Sequence, residues 1–475
     1  MSLYISKIMD STGFVGHLSL QQRWYKPLWM IALLLCCFGI SILSVRYDQF
    51  GTPVQTIKYL PIKVTDQIRS SNYTTDTITV VHESHLNTKQ PTSIQNLLNR
   101  SGWQLNSTIS SALRQLSLGY YRNPADIKKK SSSRPIPHGL KKLRPLIFKH
   151  VPEFLPDYKN PCYQTAGTNS KMICLPYFFL LGNPKCGTTD IFARINGHPD
   201  IFGKFKEMHW WTRTSKSTRM QDLQIYSSKF ILKGIIAARR SATGSAETAI
   251  VGDGSASTFW DNEGWETFYP QHYESGPPYV AADLIHHFLP SAKLIVSFRD
   301  PTARLYSGYL FFNRPGKPGK PTGVKTSPED FHKRVVAELE IFNNCTSHRS
   351  IRSCVYTQHK YLSRVRVSLY IVPLLDWLRV YPREQLYIIK LEEWHQQCNR
   401  ILAEVYHFLE IRKLSVNKID EICSQEIKNE YHQKTNSGPM LNSTREILRN
   451  FYRPYVLELA SVLNDTRFLW DYLES

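Results

Sequence analysis

The sequence predicts an α/β fold, a central parallel sheet flanked by helices, preceded by a membrane-spanning helix and a stalk. Three observations predict it. Leu28–Val45 is one apolar run of 18 residues without a charge. Residues 46–145 are rich in Ser, Thr, Asn and Gln and poor in long apolar stretches. Beyond 145, short apolar runs alternate with helical patterns, the order expected of neighbouring strands joined by crossover helices.

The 475 residues, 42% of them hydrophobic, allow one large domain or two ordinary ones. Aromatics at 12% exclude wholesale disorder. Lys and Arg number 59 against 39 Asp and Glu, a net +20 with His neutral. That excess speaks of an anionic partner: nucleic acid, an acidic membrane surface, a nucleotide or an acidic polysaccharide. The nine cysteines include no CxxC pair and no close Cys/His set, so neither a zinc-built fold nor a metal is expected.

Leu28–Val45 just reaches the length that spans a bilayer. It starts too far into the chain for a secretory leader, and no small-residue cleavage site follows it. Lys7, Arg23 and Lys26 precede it, while Arg46, Asp48 and Lys58 follow more sparsely. The bias puts residues 1–27 in the cytosol, the anchor at 28–45 and everything later in a lumen, as a single-pass type II protein. Five N-x-[ST] sequons beyond the anchor, at Asn72, Asn106, Asn344, Asn442 and Asn464, fit a lumen. So do seven cysteines there. Close spacing suggests Cys162–Cys174, Cys345–Cys354 and Cys398–Cys423 bridges with Cys186 left over, though sequence leaves connectivity open. Nucleic acid is not expected as the partner of a luminal domain. Residues 46–145 read as a luminal stem ending in KKKSSSRP and KKLR, basic clusters that suit a polyanion or a solvated tether equally.

Residues 146–475 form the folded domain. Tyr177–Leu181 is the first strand and 188–196 a helix; Ile250–Gly252 is a short apolar run. Val280–Leu289 reads as a helix ended by Pro290, and Ala292–Phe298 is the second strong strand. Ser327-Pro-Glu-Asp330 opens a helix, with a capping Ser, Pro at the first position and acids in the first turn. Gln385–Lys390 is a strand before a helix through 393–409. Arg445–Leu463 looks like an amphipathic helix broken at FYRP.

Between the first strand and its helix lies Gly182-Asn-Pro-Lys-Cys-Gly187-Thr188-Thr189. Its glycines have P-loop spacing, which turns backbone N–H groups toward a phosphate ahead of a helix N-terminus. Thr188 stands where a nucleoside-triphosphate loop carries Lys, and Lys185 supplies the cation from inside the loop. No carboxylate at a strand end marks a magnesium site, which argues against a nucleotide kinase. Arg299-Asp-Pro-Thr-Ala-Arg-Leu-Tyr-Ser307 follows the second strand, so Arg299 and Ser307 can converge on one phosphate. A third string is Lys206-Glu-Met-His-Trp-Trp211.

PKCGTT at 184–189 resembles the 5′-phosphosulfate loop of sulfotransferases that use 3′-phosphoadenosine 5′-phosphosulfate (PAPS), and RDPxxRxxS at 299–307 resembles their 3′-phosphate motif. Lys206–Trp211 looks like the KExHFF segment of Golgi carbohydrate sulfotransferases, with tryptophans for phenylalanines. Within that family, GDGSAST at 252–258 and GPML at 438–441 look like the branch that sulfates the 6-hydroxyl of N-acetylgalactosamine 4-sulfate. The resemblance covers roughly 146–475 and implies a sulfotransferase fold, PAPS as co-substrate, and a chondroitin or dermatan sulfate acceptor. It implies Glu207 as base, with Lys185 and His209 beside it in catalysis. Lys185, Cys186, Gly187, Thr188, Thr189, Arg299 and Ser307 would bind the donor, and Lys206 the acceptor. Thr212 stands where heparan 3-O-sulfotransferases carry an aspartate, so that role does not pass to it. Cys186 is read as a small packed side chain rather than a nucleophile. Arg314, Lys317, Lys320 and Lys325, on the Pro/Gly-rich stretch 313–328, are expected to grip the sulfated acceptor. Lys434-Thr-Asn-Ser-Gly-Pro lies where related enzymes close a basic loop over the nucleotide. Heparan sulfate is the alternative acceptor. A non-catalytic polyanion-binding protein is the alternative class, one that leaves both nucleotide motifs unexplained. A homodimer is compatible with the sequence.

Overall fold

The computed structural model describes residues 137–149, 151–168, 170–213, 221–230, 248–313, 326–357, 364–426 and 437–473. The expected anchor at 28–45, the stem up to 136, Lys434, and Arg314, Lys317, Lys320 and Lys325 lie outside them. Among the described residues, no helix is long and apolar enough to cross a membrane.

A small hairpin comes first. β1 (Cys162–Gln164) pairs antiparallel with β2 (Met172–Cys174), and the Cys162–Cys174 disulfide bridges them. The main sheet contains β3 (Phe178–Leu180), β4 (Ile201–Lys206), β5 (Ile250–Gly254), β6 (Lys293–Phe298) and β7 (Leu386–Lys390). Their order is β4-β5-β3-β6-β7, and every pairing is parallel. The expected parallel sheet is thus present. β4 was not anticipated, because Gly203 and two lysines interrupt its apolar pattern.

Alternation along the strands builds two cores. Phe178 and Leu180 face one, with Ile191, Phe192, Ile295 and Val405. Phe179 and Leu181 face the other, with Val296, Phe298, Trp377 and Tyr452. Burial on both faces explains why the strands read as unbroken apolar runs. At Gly252 of β5 a Cβ would fall 2.2 Å from Cζ of Phe178, so only glycine lets that ring lie across the strand.

The helices follow local signals closely. α1 (His138–Leu143) precedes the hairpin, and α2 (Thr188–Ile195) follows β3. α3 (Ala281–Phe288) leads into β6, and α4 (Pro301–Phe312) leaves it. Asp300 caps α4 by accepting the Ala303 N–H at 2.6 Å. α5 (Pro328–His348) starts as predicted, with Ser327 accepting from the Asp330 N–H at 3.1 Å. α6 (Ile371–Val380) then precedes β7.

Three expectations are corrected. The helix expected through 393–409 is two, α7 (Leu391–Gln396) and α8 (Cys398–Phe408), with a break at Gln397. α9 (Val416–Cys423) is tied to α8 by the Cys398–Cys423 disulfide. α10 (Asn442–Leu463) runs unbroken through Pro454. The proline removes one helical hydrogen bond, but Tyr452, Tyr455 and Val456 bury themselves around it and hold the helix in the core. The folded region also begins before 146. Leu140 and Arg144 are buried, and the Arg144 guanidinium lies 4.1 Å from the Trp210 ring centroid. Part of the KKLR cluster is therefore packed rather than a solvated tether. Cys345–Cys354 completes the suggested bridges, and Cys186 is free and buried.

Candidate active site

The C-terminal ends of the parallel strands meet a cleft of about 810 Å³. Crevices at this edge are where open α/β sheets place their ligands.

The loop after β3 supplies one wall. Gly187 has φ +70°, and a Cβ there would sit 2.4 Å from Cδ1 of Leu391. The turn therefore needs glycine both for its left-handed backbone and for its close approach to α7. Thr188 and Thr189 open α2 at the cleft. Lys185, itself at φ +69°, lines the cleft with Nζ 3.9 Å from the Phe311 ring centroid. Cys186 departs from the expected donor set: its side chain is fully buried, with Sγ 3.7 Å from the Tyr370 hydroxyl. Burial pushes its thiol up to about 11, so it is no thiolate at neutral pH.

The turn after β6 brings Arg299 and Ser307 to the same cleft. Two hydrogen bonds bolt this turn to the first loop. Ser297 Oγ donates to the Cys186 carbonyl at 2.7 Å, and Arg299 Nη1 donates to the Lys185 carbonyl at 3.4 Å. A third fastens it to the residue ahead of α6, where the Tyr370 hydroxyl donates to the Arg299 carbonyl at 3.0 Å.

The end of β4 carries the third string. The Lys206 ammonium contacts Glu207 Oε1 and also donates to Thr188 Oγ1 at 3.4 Å. Lys206, expected on the acceptor side, thus touches the phosphate-type loop. Glu207 Oε2 accepts the Ala256 N–H at 3.2 Å and lies 3.3 Å from His209 Nε2. His209 Nδ1 contacts Ser257 Oγ at 2.7 Å, and Ser257 Oγ contacts Thr212 Oγ1 at 2.7 Å. Burial, then the Arg213 charge, lowers the His209 pKa, while Glu207 opposes that shift. Glu207 and His209 have φ of +60° and +53°. Lys185, Glu207 and His209 thus all occupy a sparsely populated backbone region, one that concentrates at functional sites.

Trp210 and Trp211 turn inward instead. Trp210 stacks on Tyr226 at 4.6 Å between centroids, which anchors the strained segment to the core. Beneath it, buried Asp253 accepts from Tyr226 and Ser255, and Ser255 Oγ accepts the His209 N–H at 3.1 Å. Burial raises the Asp253 pKa.

Sequence reading missed Arg213, Arg364, Trp260, Phe311 and Phe312, all of which line the cleft. GDGSAST contains Ser257, the partner of His209, but no local pattern marks Arg364. No His/Cys/Asp/Glu group suited to holding a metal ion occurs among the described residues.

Chemically, the cleft sets a helix N-terminus and two cations, Lys185 and Arg299, opposite a carboxylate–imidazole pair. The first half suits phosphate or sulfate groups, and the second can take a proton from a hydroxyl.

The sequence profile of the family described as Sulfotransferase domain matches residues 175–453. Carbohydrate sulfotransferase 15 of Rattus norvegicus is 38% identical over 323 residues, covering 64% of this chain and 56% of that protein. The Homo sapiens protein of the same name is 37% identical with the same coverage. Membrane-associated sulfotransferase kil1 of Dictyostelium discoideum is 22% identical over 362 residues, covering 64% of this chain and 68% of that protein. The chain therefore spans just over half the length of the carbohydrate sulfotransferase 15 relatives it matches.

Proposed function

Because the chain belongs to the sulfotransferase family, we propose that it moves a sulfuryl group from PAPS to a glycosaminoglycan hydroxyl, the 6-hydroxyl of N-acetylgalactosamine 4-sulfate in chondroitin or dermatan sulfate. One observation carries the reading: Lys206 bridges Glu207 and Thr188, so a base and a phosphate-type loop face one cleft. The names of the relatives at 37–38% identity support a carbohydrate acceptor.

PAPS supplies a sulfuryl group on a phosphate leaving group. Lys185 then neutralises the oxygen between sulfur and the 5′-phosphate, while the amides and hydroxyls of Gly187, Thr188 and Thr189 hold that phosphate. Arg299 and Ser307 hold the 3′-phosphate. Glu207 takes the acceptor's proton, and His209 orients the carboxylate through Nε2. Catalysis of this kind rests on alignment and fixed charge rather than on a covalent enzyme intermediate. Arg314, Lys317, Lys320 and Lys325 extend the grip on the acceptor.

The same reading places residues 1–27 in the cytosol, an anchor at 28–45, a stem from 46 and the catalytic domain in the Golgi lumen. The disulfides support an oxidising compartment.

The test is to incubate the full-length chain with radiolabelled PAPS and a panel of chondroitin, dermatan and heparan chains, then locate the label by disaccharide analysis. Label at position 6 of 4-sulfated N-acetylgalactosamine is the expected result. Label on heparan alone moves the acceptor while keeping the chemistry. Nucleotide binding without any labelled glycan overturns the carbohydrate reading.

A further inference from the structure

The residues lining the cleft carry five cationic side chains, Lys185, Lys206, Arg213, Arg299 and Arg364, against two carboxylates, Asp190 and Glu207, a net of +3 with His neutral. Asp190 is held by Arg194 at 2.9 Å on its own helix. The donor reading uses Lys185 and Arg299, and Lys206 sits on Glu207. It leaves Arg213 and Arg364 without a task.

Arg364 is held with unusual care for a surface cation. Its backbone is left-handed, at φ +68°. Its N–H donates to Glu338 Oε2 at 2.8 Å, and the next N–H, of Val365, donates to Oε1 at 2.7 Å. Both oxygens of that buried carboxylate thus accept from backbone amides. The Arg364 carbonyl accepts from Arg304 Nη2 at 2.9 Å. Its guanidinium lies over Phe312, 3.7 Å from the ring centroid. A strained residue fixed at the backbone on both sides, with its head braced by an aromatic ring, is pre-organised. Burial, then the charges of Arg304 and Arg213, lowers the Arg364 pKa to about 10. The two arginines thus add positive potential to a place that is already partly desolvated.

Arg213 marks which ligand this potential awaits. It follows His209 by four residues, on the segment that carries the proposed base, and pairs with Asp261 at 3.0 Å. Arg364 is near enough to feel the Arg213 charge, and its contacts with Arg304 and Phe312 seat it on α4, so the pair spans the cleft between the segment of the proposed base and that helix.

We propose that Arg364, assisted by Arg213, is an anion subsite for a sulfate ester already present on the acceptor, so that the enzyme prefers a pre-sulfated sugar. This rests on the reading of the cleft as a PAPS and glycan site. A fixed guanidinium fork suits a sulfate's oxygens, and charge-assisted hydrogen bonds in a desolvated site are worth about 1.5–3 kcal/mol, or roughly 10–150-fold.

The experiment compares full-length wild type with Arg364→Gln, Arg364→Lys and Arg213→Gln. Two oligosaccharide acceptors are used, chondroitin 4-sulfate and unsulfated chondroitin; both keep their uronate carboxylates. Binding of 3′-phosphoadenosine 5′-phosphate (PAP), the spent nucleotide, is measured alongside. The expected result is a KM for the 4-sulfated acceptor raised at least ~10-fold in Arg364→Gln, less in Arg364→Lys, and a few-fold in Arg213→Gln. The unsulfated acceptor's KM and PAP binding should not move. Equal losses on both acceptors would mean that Arg364 meets a uronate or shapes the wall, and would overturn the proposal, as would weakened PAP binding in a folded Arg364→Lys. If wild type labels neither glycan, the functional reading fails separately. Direct binding of the 4-sulfated oligosaccharide to PAP-loaded protein then decides: weaker binding in the variants sustains the subsite, and unchanged binding overturns it. Because Arg213→Gln removes the partner of Asp261, whose side chain is 4% exposed, urea midpoints of all three variants are measured to show that they are folded.

Discussion

Exchanging Glu207 for Gln removes a charge while keeping the shape of the side chain, so its carbonyl oxygen still reaches the Ala256 N–H. If Glu207 is the base, kcat falls about 10²–10⁴-fold while PAP binding persists; near-normal turnover in a radiolabel assay would remove the assignment. Cys186 makes the opposite prediction. Its buried thiol, pushed up to about 11, should resist iodoacetamide at pH 7.5 in the native chain, and Cys186→Ser should keep transfer activity. Peptide mapping by mass spectrometry and the same radiolabel assay check both. That Lys185, Gly187, Thr188, Arg299, Ser307, Glu207 and His209 line one cleft was legible because each lies on the loop or the first helical turns that follow a strand end, where local sequence fixes position. Arg364 was not, because Glu338, Arg304 and Phe312, on α4 and α5, bring it to the cleft from a distance in sequence. The packing of Cys186 was expected from the sequence, but its contact with Tyr370, far away in the chain, was not.

Elements make their own predictions. Gly187→Ala forces an L-residue into left-handed backbone and drives a methyl into Leu391, so stability should drop by at least ~1–2 kcal/mol with weakened PAP binding. Urea denaturation and nucleotide titration measure the two effects. Leu391→Ala in the same chain should recover the steric share only, because the backbone cost remains. The disulfides close short loops, with sequence separations of 9, 12 and 25 residues. Chain entropy then assigns each roughly 2.5–3.5 kcal/mol, most for Cys398–Cys423. Replacing that pair with Ser should give the largest fall in urea midpoint of the three pairs. β3, β6 and β7 were readable as compact apolar runs, and α5 from its cap. β4 was not, because an edge strand in contact with β5 alone tolerates Gly203 and Lys204. Nor was the continuity of α10 through Pro454, where core burial outweighs a local breaker.

For the molecule as a whole, charge and protonation dominate. At net +20, acceptor binding should weaken steeply between low salt and 0.5 M NaCl, while unfolding stability changes less; titrations at several salt concentrations test this. His198, His209 and His287 all have pKa values lowered first by burial. The unfolded chain therefore binds their protons more readily. Their contribution to stability is present above the unfolded value near 6.5 and lost as pH falls through the folded values. Urea midpoints should decline from pH 7.5 toward 5. In the carboxylate range the buried Asp253 and Asp300, whose pKa values are raised, act in the opposite direction. The global fold was legible because a parallel sheet covered on both faces leaves unbroken apolar strands; the sheet order was not, since nothing local says which strands become neighbours. The fastening of the two donor motifs to each other has a last consequence. Ser297 and Arg299 tie the two phosphate-type loops to each other, Tyr370, the residue ahead of α6, is tied to them in turn, and Lys206 and Arg364 join the same frame through Thr188 and Arg304. The walls of the cleft are thus cross-braced, and a graft meant to change what one wall reads has to carry these contacts with it.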